Sequence, residues 1–472
     1  MRKLEKRALL CLALVIALIG GLAYFTVKLE INGSTWASFY ANQHVYSNGH
    51  LAVGSIYDRN GERLLKLTKS GQKYSDDAEI RRATLHAVGD PNGNISTGAN
   101  IAFKDKLIGY NFLTGTGTGS ASSKSSKSSD SNKGSKVVLT IDSEVNRKAY
   151  EALAGRNGLV GVYNYKTGEI ICMVSSPTYD PGEDGSTQLD NPLSGTYLNK
   201  LISGKLTPGS TFKLVTTAAA LENIDDIDTW SYTCTGRLEV GSDVVTCPSV
   251  HGTVDIYGAL AKSCNCAYAT LAMQLGGDVL AEYVDKLGLE SSYDIDGISS
   301  AAGSFNFDTA SVNVGWAGIG QYEDEVNPLS MMVYMGAIAG GGKAANPTLL
   351  GDSNILKKGI EKGTKLITGD DNVARNGTVS LLDEETADTL SDMMRNNVKI
   401  TYGDDNYKGL SLHAKSGTAE VGTGKSPHSW FCGFSGDYAF IVCVENGGYG
   451  SSVAGPIAGT VLKYMKDAGY YE

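Results

Sequence analysis

The sequence predicts a mixed α/β fold behind an N-terminal membrane helix, and three observations carry that reading. An uncharged apolar run, Ala8 to Val27, follows a basic start; β-rich runs stand at both ends of the region after residue 136; helix-forming stretches fill its middle. At 472 residues the chain has room for two or three domains and a large core. A formal net charge of -10 gives a nucleic-acid partner no electrostatic support. With 58 glycines against 10 prolines, tight turns in a compact fold are favoured over a proline-rich disordered chain. Eight cysteines are too few for a disulfide-built scaffold and leave room for an isolated bridge.

Taken in order, residues 1–7 (Met-Arg-Lys-Leu-Glu-Lys-Arg) form a basic cytoplasmic tail, and residues 8–27 are long enough to span a bilayer. The positive-inside rule then puts everything after Lys28 on the outer side. A cleaved signal peptide fits less well. Its apolar core is usually ~7 to 15 residues, and Tyr24-Phe-Thr-Val-Lys28 is not an Ala-x-Ala site. Residues 28–113 read as a small β-rich domain in which Leu51–Leu65 folds as strand, Asn60-Gly61 turn of the I′ kind, and strand. Residues 114–136, almost wholly Gly, Ser, Thr and Lys, read as a linker or long exposed loop.

The second domain is expected over residues 137–472. Val137–Asp142 reads as a strand, Ser143–Ala154 as a helix with a Ser or Asp cap, and Val160–Tyr165 with Glu169–Ser176 as a hairpin turning at Lys166-Thr167-Gly168. Pro208-Gly209 then turns the chain into the apolar helix ending near Leu221. Helical runs follow to about Leu289. Leu412–Glu420, Trp430–Phe434 and Tyr438–Glu445 read as three successive strands, closed by a helix over Ala458–Ala468.

Chemistry concentrates in three short motifs. Ser210 stands at a helix start with Lys213 one turn along the same face, which places a nucleophile beside a base. Ser70 and Lys73 share the spacing, but in a polar segment that would not bury an amine. Ser263-Cys264-Asn265 offers a hydroxyl and an amide at i and i+2, which share one side of an extended or looped backbone; Ser304-Phe-Asn306 and Ser311-Val-Asn313 compete for that role. Lys415-Ser416-Gly417-Thr418 lies on a strand, where its glycine admits a substrate backbone and its ammonium disfavours a second charge on Lys213. Lys69-Ser-Gly71 and Lys166-Thr-Gly168 match it outside such a strand context.

In this order and in these surroundings, the three motifs resemble the Ser-x-x-Lys, Ser-x-Asn and Lys-Ser/Thr-Gly set of class B (monofunctional) penicillin-binding proteins, the peptidoglycan D,D-transpeptidases. Ser175-Ser-Pro-Thr-Tyr-Asp-Pro181 and Gly318–Met332 resemble further segments of that family, with Tyr322 and Asn327 as departures, and Leu51–Leu65, Leu85–Asp90 and Gly98–Phe103 resemble parts of its non-catalytic pedestal. The resemblance implies the penicillin-binding/serine β-lactamase-like transpeptidase fold, a central antiparallel five-stranded sheet covered by helices. It also implies an acyl-enzyme on Ser210, Lys213 as base, Ser263 as proton relay to the leaving group, and Asn265 holding Lys213 and the donor peptide. Ser416 and Thr418 would bind the substrate carboxylate, and the N–H groups of Ser210 and Thr418 would form the oxyanion hole. Stem peptides ending in D-Ala-D-Ala and β-lactam antibiotics are the expected ligands, and a membrane glycosyltransferase the expected partner.

Rival readings are a β-lactam-hydrolysing or sensing relative and a non-catalytic scaffold of a cell-wall complex. Cys264 and Ser416 replace the Asp and Thr usual in β-lactamases, and no Glu-x-x-Leu-Asn loop stands out. A sensor would need more cytoplasmic chain than residues 1–7. No cofactor or metal is expected: Cys264-x-Cys266 with Cys234 and Cys247 is poor zinc-ligand spacing, and His251 reads as structural. A Cys234–Cys247 disulfide suits an exported domain, while a reducing habitat would leave thiols. His413 reads as a partly exposed strand histidine, and Cys172, Cys432 and Cys443 as core.

Overall fold

The computed structural model describes residues 11–28, 54–68, 71–108, 110–111, 116–117, 136–351 and 376–471. The basic tail, the first three residues of the expected span, the competing pair Lys69 and Ser70, and nearly all of the expected linker lie outside the described residues. The apolar run forms one helix, Cys11–Lys28, with a mean hydropathy of 2.0, long and apolar enough to cross a membrane.

Four strands make the N-terminal sheet: β1 (Ser55–Tyr57), β2 (Arg63–Thr68), β3 (Gly71–Tyr74) and β4 (Lys136–Val138), in the order β3-β2-β1-β4. The β1–β2 turn is not the I′ form expected of Asn60-Gly61. Only Gly61 has positive φ (84°). The Asp58 carboxylate instead accepts from the N–H groups of Asn60 (2.9 Å) and Glu62 (2.8 Å), which closes a longer loop. The strand expected to open the second domain pairs parallel with β1 and so completes this sheet. Beyond it, Asp142 caps the helix Ser143–Leu153 by accepting from Glu144 N and Val145 N.

The second sheet has five strands, β5 (Gly158–Asn164), β6 (Ile170–Ser176), β7 (His413–Ala419), β8 (His428–Ser435) and β9 (Tyr438–Val444), in the order β7-β8-β9-β5-β6 with every pair antiparallel. Both faces are covered. Phe431, Phe440 and Val442 pack with Val145, Ala149 and Leu462 of the helices Ser143–Leu153 and Gly450–Asp467. Trp430, Ile441 and Cys443 face the other way, toward Leu214, Met332 and Met335 of Lys213–Asn223 and Pro328–Ala339. Two-sided burial is why these strands read as continuous apolar runs rather than as an alternation. The closing helix begins at Gly450, eight residues before the expected start, and contains Pro456. Its small residues look like helix breakers in sequence but serve close packing: a Cβ on Gly450 would stand 2.3 Å from Gly417 O and 2.6 Å from Trp430 O.

The two sheets are joined by the β1–β2 turn. Ser143 donates to Asp58 through N (3.1 Å) and Oγ (2.7 Å), and Arg59 donates to Thr140 O (3.2 Å) and to Glu169 (3.2 Å) beneath the ring of Tyr470. A second clamp is the paired hydrogen bond of Arg81 with Asp180 (2.7 and 2.9 Å). The Arg59–Glu169 side chains are each only 8% exposed, so losing one partner carries a large penalty. Arg59→Ala is expected to destabilise the protein by about 3 kcal/mol in a denaturation experiment; an unchanged unfolding curve would mean the pair does not couple the sheets.

Candidate active site

The turn Thr207-Pro208-Gly209 is wedged between the end of β7 and the loop after the helix Ser311–Ala317. Gly209 N donates to Gly320 O (2.8 Å), Trp430 Nε1 donates to Thr207 O (2.9 Å), and Gly209 has φ 54°. A Cβ on Gly209 would stand 2.7 Å from Thr418 O, and one on Gly320 2.0 Å from Gly209 O, so both glycines are required by close backbone approach. One 3₁₀ turn, Gly209–Thr211, then lifts Ser210 onto the helix Lys213–Asn223. The helix cap makes no side-chain bond; the Ser210 hydroxyl meets Lys213 Nζ at 3.0 Å.

Lys213 is fully buried. Besides Ser210 Oγ, its Nζ lies 2.8 Å from Ser263 O, 3.1 Å from Ser263 Oγ and 2.7 Å from Asn265 Oδ1, above the ring of Tyr268. Burial holds this amine well below the usual lysine range, and the charge of Lys415 pushes it further the same way. Of the extended or looped backbone expected there, Ser263 and Asn265 take the looped form. Ser263 has φ 51°, Cys264 is the N-cap, and Asn265 opens the helix Asn265–Leu275. The kink between two helices therefore aims both side chains at one nitrogen. Asn265 Nδ2 donates to Thr246 O (2.9 Å), which fixes Oδ1 toward Lys213.

Lys415 is also fully buried on β7, with Nζ 3.0 Å from Ser263 Oγ and 2.8 Å from Ser416 O. Burial brings it down to about 7. Ser263 Oγ thus bridges two amines. A Cβ on Gly417 would stand 2.9 Å from Pro208 O, so this glycine admits the turn that carries Ser210. The hydroxyls of the half-buried Ser416 and Thr418 are held by the protein: Tyr402 OH donates to Ser416 Oγ (3.1 Å) and accepts from Ser416 N (2.8 Å), and Thr418 Oγ accepts from Gly450 N (3.3 Å). Tyr402 was not foreseen; it follows the helix Glu384–Asn397 in a wide π-type turn that no residue pattern announces.

The competing residues stand elsewhere. Lys166-Thr-Gly168 is the β5–β6 turn, Asn306 donates to Glu323, and Asn313 donates to Thr309. His413 lies against Ser391 O (2.9 Å) and stacks on Phe434, a strand histidine without a triad. Of the four cysteines read as poor zinc-ligand spacing, Cys234, Cys247 and Cys264 are brought together with His251, their ligand atoms within 4.8 Å of one another, and Cys266 Sγ lies 3.5 Å from Cys247 Sγ.

Residues 158–463 match the family model of the penicillin binding protein transpeptidase domain. The chain is 29% identical over 359 residues to the peptidoglycan D,D-transpeptidase PbpA of Mycolicibacterium smegmatis, across 69% of this chain and 71% of that protein. It is 28% identical over 366 residues to PbpA of Mycobacterium tuberculosis, across 70% and 72%. In structure it resembles the penicillin G acyl-enzyme complex of penicillin-binding protein A from M. tuberculosis (TM-score 0.70, 23% identity, 87% of this chain and 99% of that one). It also resembles the D,D-transpeptidase domain of a peptidoglycan glycosyltransferase from Eggerthella lenta (TM-score 0.71, 22% identity, 89% and 100%). With its five-stranded sheet and a matched region spanning more than half its length, the chain belongs to the penicillin-binding protein transpeptidase family.

Proposed function

We propose that this protein is a membrane-anchored D,D-transpeptidase that cross-links peptidoglycan stem peptides through an acyl-enzyme on Ser210 and is acylated at the same residue by β-lactams. The observation that carries the reading is the setting of Lys213: a buried amine, kept short of protons by burial and by Lys415, in contact with one hydroxyl a turn before it and a second at the kink between two other helices.

Neutral Lys213 takes the Ser210 proton as Oγ attacks the carbonyl of the penultimate D-Ala. The oxyanion that forms is met by the N–H groups of Ser210 and Thr418, whose backbones are brought together by the Gly209 turn. Collapse breaks the amide bond. The leaving D-Ala nitrogen receives its proton through Ser263 Oγ, which touches both amines. An amine of a neighbouring stem peptide then attacks the ester, gives up a proton along the same path, and releases Ser210. Lys415, Ser416 and Thr418 hold the substrate carboxylate, with Tyr402 fixing Ser416. In a β-lactam the cleaved nitrogen stays tethered to the acyl group, so the ester persists. The helix Cys11–Lys28 anchors the protein, and the basic residues before it direct the catalytic domain to the outer side. Residues 28–113 serve as a pedestal, 114–136 as a linker and 137–472 as the transpeptidase domain, which would work beside a membrane glycosyltransferase supplying the glycan strands.

Fluorescent penicillin should label the full chain, with intact mass rising by one acyl group. Ser210→Ala should lower the labelling rate by roughly a thousandfold or more, and labelling that persists would move the nucleophile elsewhere. An ordinary lysine would be a base only above pH ~10. Because Lys213 is depressed, acylation should already be fast at neutral pH and fall on the acid side, as Lys213 gains its proton. Lys415→Ala removes a like charge, so the acid limb of the pH–rate profile should move to higher pH. A limb that stays in place would show that the two amines are not coupled.

A further inference from the structure

Beside the Ser263 kink, two small ribbons, Ser231–Cys234 with Gly252–Asp255 and Arg237–Val240 with Asp243–Thr246, bring four donor atoms from three separate stretches of chain to one point. Cys234 Sγ lies 3.8 Å from Cys247 Sγ and 3.7 Å from His251 Nδ1, and Cys247 Sγ lies 3.7 Å from Cys264 Sγ. We propose that Cys234, Cys247, His251 and Cys264 bind one zinc-class divalent ion that anchors the Ser263–Asn265 segment of the active site.

These three separations match the edges of a tetrahedral site, and all four ligand atoms lie within 4.8 Å of one another. With Zn–S near 2.3 Å and Zn–N near 2.0 Å, ligand atoms are separated by about 3.5 to 3.8 Å. The sulfurs are also served as thiolates are: Gly236 N donates to Cys234 Sγ (3.4 Å) and Cys266 N to Cys247 Sγ (3.3 Å), the outer contacts that orient metal ligands. Cys266 Sγ, 3.5 Å from Cys247 Sγ, faces Val245 O and backs the site instead of completing it. Cys234 and Cys264 are buried while Cys247 and His251 are half-buried, which leaves an approach for the ion. A Cys234–Cys247 disulfide would use two of these groups and leave His251 and Cys264 without a role. Two-stranded ribbons are also marginal on their own, and a metal is a common staple for such pieces.

The link to the reaction is short. Cys264 lies between Ser263 and Asn265, both of which touch Lys213, and Cys247 follows Thr246, whose carbonyl holds the Asn265 amide. Binding exchanges three thiol protons, released to solvent, for three Zn–S bonds and one Zn–N bond. The ion takes no part in acyl transfer; it holds the kink that aims two side chains at one amine.

The full-length chain, purified in detergent with reductant, is assayed for metal by mass spectrometry and for thiols by intact mass, and its zinc is exchanged for cobalt. About one zinc per chain, eight free thiols, and a cobalt form with thiolate charge-transfer and tetrahedral d–d absorption are expected. Cys234→Ser and His251→Ala should weaken zinc binding by more than the roughly tenfold to hundredfold typical of an outer contact, while Cys11→Ser leaves it unchanged. Should a ligand variant fail to fold, the cobalt spectrum of the unaltered chain still decides. Zinc removal should slow penicillin labelling by about tenfold or more, restored by zinc. This last arm rests on the acyl-enzyme reading; the metal count does not. A reduced chain that takes up no zinc, a bridge mapped to Cys234 and Cys247, or zinc retained undiminished in both ligand variants would overturn the site. Labelling indifferent to zinc would overturn its anchoring role.

Discussion

An amine with no access to water, surrounded by four oxygen atoms, constrains everything else in this molecule. Lys213 meets Ser210, the carbonyl and hydroxyl of Ser263, and Asn265. Burying a charged ammonium is costly, so the surroundings favour its neutral form. A neutral amine has two protons and a lone pair, so not all four contacts can accept from it, and only the hydroxyls of Ser210 and Ser263 can donate to the lone pair. The five-stranded sheet supplies the second amine, and the helix kink supplies the bridge between the two.

Much of this site was legible in the sequence, because its parts are local. The i and i+3 spacing of Ser210 and Lys213 survives as one helical turn, and Lys415 lies on the expected strand. What could not be read depended on contacts between distant segments. Tyr402 reaches Ser416 from a π-type turn whose residues follow no apolar period. Ser263 and Asn265 face one way because of a left-handed residue at a helix junction, a detail that the spacing alone left open. The thiol cluster escaped the spacing argument because Cys234, at a strand end, and Cys264, at a helix N-cap, meet the Cys247–His251 loop only once distant segments have folded together.

The fold shows the same division. Apolar runs announced the strands, and two-sided burial explains their composition. Glycine misled at the closing helix, where Gly450 and Gly455 permit approach to β7 and Tyr407 rather than ending the helix. The strand β4, next to a Ser- and Gly-rich stretch, finds its partner in β1, a pairing that no local pattern announces. The clamp at Asp58 and Arg59 then makes the small sheet a continuation of the larger domain, since the Asp58 carboxyl, lifted to about 6 by burial, hydrogen-bonds the start of a helix in the other unit.

In the larger sheet, β9 lies between β8 and β5, so Tyr438–Val444 pairs with residues made some two hundred and eighty positions earlier. A chain delivered in order from its N-terminus presents the β5–β6 hairpin long before its neighbour exists, with a row of unpaired backbone groups along one margin. Closure must wait for nearly the last stretch to arrive, which makes assembly a slow, non-local event. Until Tyr438–Val444 is made the polypeptide is therefore exposed to wrong partners, and a chain that stops short of Tyr438 would keep that margin open and sticky.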